Sequence, residues 1–416
     1  MSSDTALQIA VVGAGASGLL VAGFAAKRGL HVTVFEKNDR PARKLMITGK
    51  GRCNVTNNCG FDELIQNIPH NGKFMYSAFQ QFGPSEMMNL IEGLGVPLKT
   101  ERGNRVFPVS DKAVDIVDAL VRFAKKNGAH FVHDRVTGLI IENGCCSGVV
   151  CENGKQYNAQ AVVVCTGGVS YPGTGSTGDG YVLAKQAGHT VFPPKPSLVP
   201  LTSSDSICLD SQGLSLKNCS IRIVDKTNNN CVYDDFGEMI FTHFGVSGPV
   251  ILSASSHVRD FESGKYRLLI DLKPAMTREM LDARIIRDMV QYKNMDLQNA
   301  LIHLLPKKII SSVLLLADVD GATKCHSLEK SERTRLVDVI KNIPISITGT
   351  RPISEAIVTS GGIAVKEISP KTMESKLCKN LFFAGEVIDV DAYTGGFNLQ
   401  IAFSTGYAAA THLPNT

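Results

Sequence analysis

The chain has 416 residues, which at roughly 150 residues per domain favours two or three domains. Apolar residues make up 44% and charged residues 20%, a composition that excludes a disordered chain. The net charge of +4 is spread along the sequence without a basic block, so we expect no nucleic-acid partner. The eleven cysteines form no CxxC pair, which excludes a zinc ribbon, and we expect reduced thiols and no metal site.

Residues 6–26 carry no charge, but four glycines interrupt this stretch in a pattern that has its own explanation. A membrane span is therefore not predicted here, and no basic segment or cleavage site marks a signal peptide. No other segment of the sequence is apolar over the length that a bilayer requires. We expect a cytoplasmic protein without a membrane partner.

The uncharged stretch begins a dinucleotide-binding βαβ unit over residues 9–36, with strand, glycine turn, helix and second strand in order. Gly13 permits the tight turn, Gly15 lets the backbone approach a pyrophosphate, and Gly18 lets the helix pack close to the strand. The N-terminus of the helix offers free N–H groups to the phosphates. Glu36 ends the second strand, where its carboxylate is placed to accept hydrogen bonds from an adenosine ribose.

Two further segments favour FAD over NAD. Residues 40–57 form a Gly/Asn/Thr-rich loop with basic residues, which suits an anionic diphosphate and a polar flavin edge. Near the end of the chain, Gly385 and Glu386 close a late strand, and residues 395–400 open a final helix. In FAD-binding folds a carboxylate at this place accepts hydrogen bonds from the ribityl chain, and the helix N-terminus faces the flavin pyrimidine.

The middle of the chain predicts three short strands, over 130–141, 147–152 and 156–165, joined as a β-meander. A second GxGxxG match follows at residues 173–178, but Pro193 stands where the ribose acid of a second nucleotide fold belongs. We therefore expect this match to be a loop near the flavin or the substrate rather than a nicotinamide site.

The domain prediction is nested. An FAD-binding domain takes residues 1–195 and 342–416, a β-rich domain takes 196–276 with closing strands near 342–355, and a helical subdomain takes 277–341. Because ligand sites favour domain interfaces, we expect the substrate between the flavin and this insertion. The candidate catalytic residues are Tyr171, His243 and Ser247.

These motifs resemble a bacterial family of NAD(P)/FAD-dependent oxidoreductases of the aminoacetone-oxidase and BaiN-like flavoprotein type. The matching stretches keep the same order along the chain and are 12–18 with Glu36, 44–57, 166–180, 196–201, 241–249, 359–376 and 381–406. The resemblance implies an α/β fold, a glutathione-reductase-type FAD-binding Rossmann domain interrupted by a β-barrel-like domain that carries a helical insertion.

The motifs and the resemblance together give the expected FAD contacts. They are Gly13, Gly15, Ala16, Ser17, Gly18, Glu36, Lys37, Lys44, Gly51, Arg52, Cys53, Asn54, Val136, Thr166, Gly167, Gly385, Glu386, Asp389, Gly396, Asn398 and Leu399. Cys53 and Cys59 stand one residue too far apart for the CxxxxC disulfide of flavin disulfide reductases, so that class is disfavoured.

The expected reaction is hydride transfer between flavin N5 and a small organic substrate or NAD(P)H, with NAD(P)H binding transiently. The alternative is an aminoacetone-type amine oxidase that releases hydrogen peroxide. A flavin-bound RNA-modification role is disfavoured because the sequence has no basic stripe. The substrate and the oligomeric state stay open.

Overall fold

The computed structural model describes residues 7–258 and 264–414. The strands within these ranges are β1 Leu7–Val12, β2 Val32–Glu36, β3 Thr56–Asn57, β4 Leu98–Glu101, β5 Arg105–Pro108, β6 His130–His133, β7 Val136–Glu142, β8 Cys145–Cys151, β9 Gln156–Val164, β10 Val191–Ser197, β11 Leu201–Thr202, β12 Ser215–Asp225, β13 Cys231–Thr242, β14 Gly245–Ser247, β15 Tyr266–Asp271, β16 Ile343–Ser346, β17 Gly349–Thr350, β18 Val358–Ile363 and β19 Leu381–Phe383. The α-helices are α1 Ala16–Lys27, α2 Arg43–Ile47, α3 Phe61–Gln66, α4 Tyr76–Gln81, α5 Pro84–Gly93, α6 Ala113–Lys126, α7 Asp179–Gln186, α8 Ser206–Asp210, α9 Pro249–Ser255, α10 Arg278–Gln291, α11 Leu297–Ala300, α12 Lys307–Ala317, α13 Lys330–Lys341 and α14 Phe397–His412.

The described residues fall into two compact units. The first contains the residues up to Ser197 together with those from Pro352 onward, and the second contains Leu198–Arg351. Residues 342–351, assigned to the FAD domain from the sequence with closing strands of the β-rich domain nearby, belong to the second unit. The reason is that β16 and β17 pair with strands of that unit.

The first unit is built on a parallel sheet in the order β6–β2–β1–β9–β19. Residues 9–12 lie in the middle of it and are almost completely buried, as expected for an apolar strand with neighbours on both edges and helices on both faces. The run 130–141, predicted as one strand, is two: β6 joins the parallel sheet, whereas β7 turns away and pairs with β8. β8 then pairs with the first half of β9, so β9 belongs to both the meander and the parallel sheet.

The two ends of the chain share the core of this unit. α1 and α14 pack together, and the Arg28 guanidinium after α1 donates to the carbonyl oxygens of Ala410 and Leu413. The ring of Tyr407 on α14 lies 4.8 Å from that of Phe24 on α1, in edge contact. Since α1 follows the glycine turn and α14 follows the late Gly385 strand, this packing fixes both predicted cofactor segments in one body.

A polar cluster around His189 lies in the core of the first unit. The His189 side chain is fully buried, with Nε2 2.7 Å from Ser375 Oγ and Nδ1 3.2 Å from Glu367 Oε2. Burial lowers the pKa of His189, although Glu367 opposes this effect. The imidazole therefore links β10 to the segment before β19 as a neutral group.

The second unit contains an antiparallel sheet in the order β16–β15–β12–β13–β14–β11–β17. Its two end strands, β16 and β17, are consecutive in sequence. Between them, Ile347 N–H donates to Tyr266 O on one side, and Thr348 N–H donates to Thr202 O on the other. The segment 343–350 thus closes the sheet into a barrel, which confirms the β-barrel-like fold class.

α10 to α13 form the helical part of the second unit. Thr277 caps α10 by accepting a hydrogen bond from Met280 N–H, and Arg333 on α13 pairs with Asp282 on α10 at 2.6 Å. Across the part of the chain that the structure describes, no helix is both long and apolar enough to cross a membrane. The same ranges contain no cluster of three metal-ligating side chains.

Candidate functional site

The glycine turn joins β1 to α1 at the carboxyl edge of the parallel sheet. Gly13 has φ +98°, and a Cβ there would lie 2.7 Å from the carbonyl oxygen of Cys165. A Cβ on Gly18 would run into the carbonyl of Gly13, whereas one on Gly15 would have no atom nearer than 3.9 Å. Gly15 is the N-cap of α1 and brings no side chain to its free N–H groups. The turn is therefore closed on its inner side and open where phosphates approach a helix N-terminus.

Glu36 lies beside this turn at the end of β2. Its Oε2 accepts a hydrogen bond from Ala14 N–H at 2.9 Å, and its Oε1 accepts two from the backbone and side chain of Asn38, at 2.8 and 2.7 Å. Each carboxylate oxygen accepts about two hydrogen bonds, so Oε2 keeps room for one more donor. This arrangement suits a ribose hydroxyl and holds the carboxylate ready for it.

A cavity of about 490 Å³ adjoins Glu36, and its lining includes Lys37, Asn38, Arg135 and Gly175. Lys37 and Arg135 both pair with Asp179, at 2.7 and 2.9 Å. The second GxGxxG match, 173–178, lies beside the end of β2, and Gly175 packs against Asn38. Val136 opens β7 directly after Arg135 and is buried.

A second polar cluster joins Lys44, Ser170, Thr359 and Glu386. Lys44 Nζ lies 2.6 Å from Ser170 Oγ and 2.7 Å from Glu386 Oε2. The other oxygen of Glu386 accepts hydrogen bonds from Thr359 N–H at 2.8 Å and from Ser170 Oγ at 3.1 Å. Gly385, just before Glu386, has φ +82°, and a Cβ there would meet Ser17 Oγ. The two predicted cofactor segments, far apart in sequence, thus meet at this cluster.

In the loop between α2 and β3, the side chains of two predicted FAD contacts have different surroundings. Arg52 pairs with Glu101 and Asp111 and covers the ring of Phe107 at 4.1 Å, which uses its guanidinium within the protein. Asn54 has a buried Oδ1 without a partner among the described residues.

Cys53 in this loop and Cys59 after β3 are protonated thiols. Burial raises the pKa of Cys53 to about 12, and burial with the nearby Glu63 carboxylate raises the pKa of Cys59 to about 11. All eleven cysteines of the chain are free.

The segment before α14 is held by its own side chains. Asn398 accepts a hydrogen bond from Ala392 N–H and donates to the carbonyls of Ala392 and Tyr393. Asp389 is buried and accepts hydrogen bonds from the Asn71 side chain. These two predicted contacts therefore shape the approach to α14, while Gly396 forms its N-cap and Leu399 lies in its first turn.

Several buried polar atoms of the first unit have no hydrogen-bond partner among the described residues: Asn54 Oδ1, Asn57 Oδ1, Thr166 Oγ1 and Tyr181 OH. Thr166 and Gly167 follow β9, next to β1 and β19. Burial raises the pKa of Tyr181, so its phenol remains a donor. Unpaired buried donors and acceptors, two helix N-termini and a glycine turn form the set that a nucleotide with a polar ring system satisfies. The residues present fit FAD.

The sequence reasoning missed Asn38, Asn57, Ser170, Tyr181 and Thr359. Thr359 stands at the start of a matching stretch, and Asn38 follows Glu36 by two residues, but no spacing rule marks either of them. Among the catalytic candidates, Tyr171 is partly exposed in the first unit. His243 is exposed in the turn between β13 and β14 of the second unit, and Ser247 ends β14.

Fold and site together define an FAD-dependent oxidoreductase. Its parallel sheet, its glycine turn and the carboxylate at the end of the second strand are features of the dinucleotide-binding class. The chain belongs to the HI0933-like family, whose Rossmann-domain model matches residues 7–412. The family, the α/β fold and FAD as the cofactor, all predicted from the sequence, are confirmed.

Similar proteins align with nearly the whole chain. A Haemophilus influenzae protein named ribosomal RNA dihydrouridine synthase is 33% identical over 406 residues, 96% of each chain. A Clostridium scindens protein named 3-dehydro-bile acid delta(4,6)-reductase is 28% identical over 412 residues, 97% of this chain and 98% of that one. The solved structure of 3-ketosteroid delta1-dehydrogenase from Sterolibacterium denitrificans gives a TM-score of 0.51 at 14% identity, over 98% of this chain and 99% of that one, a likeness of fold.

Proposed function

We propose that this protein reduces a carbon–carbon double bond conjugated to a carbonyl group. The observation that carries the proposal is the chemistry shared by the names of the two relatives described above. Uracil has its 5,6 double bond next to a carbonyl, and dihydrouridine is the product with that bond saturated. A 3-dehydro bile acid with Δ4,6 double bonds is likewise a conjugated ketone. In both, hydride adds to the carbon that the carbonyl makes electrophilic.

When bound, FAD supplies hydride exchange at N5, and we propose NAD(P)H as the source of the electron pair. The protein positions this reaction through the glycine turn, Glu36 and the Lys44–Glu386 cluster. Saturation also needs a proton on the second carbon. The proposed donors are Tyr171, His243 and Ser247.

For the substrate we favour a uridine of ribosomal RNA, because the relative with that name shares 33% identity over 96% of both chains. The test incubates unmodified ribosomal RNA transcripts with the FAD-loaded protein and NAD(P)H, then measures dihydrouridine by mass spectrometry of the digested nucleosides. We expect dihydrouridine only when the reductant is present. RNA that stays unmodified while NAD(P)H reduces the flavin would reject the RNA substrate and restore the sequence-based expectation of no nucleic-acid partner.

A small conjugated ketone is the second candidate, supported by the bile-acid reductase relative. Anaerobic stopped-flow separates the possibilities: the NAD(P)H-reduced flavin is mixed with a Δ4,6-3-ketosteroid, and recovery of the visible flavin band shows reduction of the ketosteroid. Bleaching by an amine alone, with hydrogen peroxide formed in air, would instead support the aminoacetone-type oxidase.

Single-turnover reoxidation of the reduced flavin in Tyr171→Phe, His243→Gln and Ser247→Ala tests the proposed proton donors. Reoxidation rates equal to that of the wild type in all three variants would reject all three residues as proton donors.

A further inference from the structure

Asn57 ends the short strand β3 directly beneath the N-terminus of α14. The turn Gly395–Gly396 packs onto the backbone of Thr56 and Asn57 so closely that a Cβ on Gly396 would meet the carbonyl of Thr56. Asn57 itself is 2% exposed. Its side chain is therefore enclosed in the first unit, beside a helix of sixteen residues whose N-cap is a glycine.

The orientation of the Asn57 amide is fixed by its nitrogen. Nδ2 donates to the carbonyl oxygens of Gly103 and Gly395, each at 3.0 Å. A reversed amide would place its oxygen against both carbonyls, so the other orientation is excluded. Oδ1 is left buried without a partner among the described residues. A buried acceptor in this condition is unfavourable unless a ligand supplies the donor.

The oxidised isoalloxazine ring of FAD has a single N–H donor, the imide N3–H, flanked by the acceptors O2 and O4. The first-turn N–H groups of α14 are donors at the positive end of the helix dipole and match those oxygens. An acceptor beside them matches the imide N–H. Thr166 and Tyr181 carry hydroxyl protons of their own and need no donor, which leaves the amide oxygens as candidates.

We propose that Asn57 Oδ1 accepts a hydrogen bond from the N3–H of the bound flavin and so orients its pyrimidine edge at α14. Asn57 acts as a positioning residue that couples three features: the Gly103 turn, the Gly395 turn and the flavin. Asn54, the other amide of the first unit with an unpartnered Oδ1, is less enclosed, and its nitrogen is not held by two carbonyls among the described residues.

The test compares the binding of FAD and N3-methyl-FAD to apoprotein by quenching of flavin fluorescence, a measurement that needs no turnover. In the wild type, methylation should weaken binding at least about tenfold, because it removes the donor and meets the buried oxygen. Asn57→Ala removes that oxygen and should reduce the ratio to about threefold or less. Asn58→Ala changes the exposed neighbour in the same loop and should keep the wild-type ratio.

Asn57→Ala also releases the carbonyls of Gly103 and Gly395, so its absolute affinity for FAD is expected to fall. The ratio of the two affinities within one variant cancels that common loss. Asn57→Ser, which is smaller but polar, serves as the second variant should the alanine protein fail to fold, and it should also lower the ratio. Equal ratios in the wild type and these variants, or no discrimination by the wild type, would overturn the proposal.

Discussion

Gly13 and Gly15 stand two residues apart in the same turn, and the structure predicts opposite consequences for replacing them by alanine. At Gly13, φ is +98° and an added Cβ would lie 2.7 Å from Cys165 O. At Gly15, φ is −77° and the nearest atom to an added Cβ is 3.9 Å away. Gly13→Ala should therefore damage the fold, and Gly15→Ala should damage mainly cofactor binding.

The magnitudes follow from these distances. Ordinary contact begins at 3.4 Å, so the Gly13→Ala methyl group overlaps a backbone oxygen by 0.7 Å, the difference from 2.7 Å, in a strained backbone conformation. Overpacking and strain each cost about 1–3 kcal/mol, and together we expect a loss of about 2–5 kcal/mol. That corresponds to a melting temperature lower by roughly 5–15 °C. Gly15→Ala should cost the apoprotein no more than about 1 kcal/mol, because alanine is a poorer N-cap than glycine but loses less conformational freedom on folding. The methyl group that it places in the phosphate approach should weaken FAD binding by about 5- to 150-fold, or about 1–3 kcal/mol.

The assay is thermal unfolding of both FAD-free variants, followed by titration with FAD. A Gly15→Ala protein that binds FAD as tightly as the wild type would refute the placement of the pyrophosphate at this turn. Equal destabilisation of the two apoproteins would show that the open side of the turn is a requirement of the fold and not of the ligand. Gly93→Ala, at an ordinary position of α5 with open space around it, is the control and should change neither quantity by much.

Three further predictions concern side chains. Lys44 and Glu386 are paired at 2.7 Å and partly buried. In a double-mutant cycle of Lys44→Met and Glu386→Gln, their effects on the free energy of unfolding should be coupled by about 1 kcal/mol. Effects that simply add would contradict the pairing. Because burial lowers the pKa of His189, the folded state holds a neutral imidazole where the unfolded chain binds a proton near pH 6.5. Stability should therefore fall as the pH drops below about 6.5. In His189→Gln the decrease in melting temperature between about pH 7.5 and about pH 5.5 should be smaller than in the wild type. An equal decrease in both proteins would show that another group causes the pH dependence. With the pKa of Cys59 raised to about 11, Cys59→Ser should leave flavin reduction intact at two electrons per FAD, and loss of reduction would revive a disulfide mechanism.

The parts of the candidate site that can be recognised in the sequence are those that depend on local geometry. The glycine turn needs a particular backbone over six residues, and Glu36 follows one strand later, so both are visible in a short window. Arg52 shows what the sequence does not reveal: its guanidinium pairs with Glu101 and Asp111, and these pairings across about fifty residues have no local signature. Its contact with FAD stays a prediction. Asn57 was not among the predicted contacts for the same reason, because the two carbonyls that its amide nitrogen binds are distant from it in sequence. The β6–β7 break also depends on tertiary structure, since it arises where one strand leaves the parallel sheet for the meander.

The cofactor site depends on both ends of the chain being joined. Ser17 at the start of α1 donates to Ala384 O, and Lys44 Nζ donates to Glu386, so the two segments predicted to hold FAD contact each other. A ligand that contacts both segments binds the folded unit and not the unfolded chain, and at a hundred times its Kd it adds about 2.7 kcal/mol to stability. FAD binding and the folding of the first unit are therefore linked. A variant that loosens the Lys44–Glu386 contact should lose FAD affinity even where no atom of the altered side chain touches the cofactor, because part of the binding free energy is then spent on ordering the two segments.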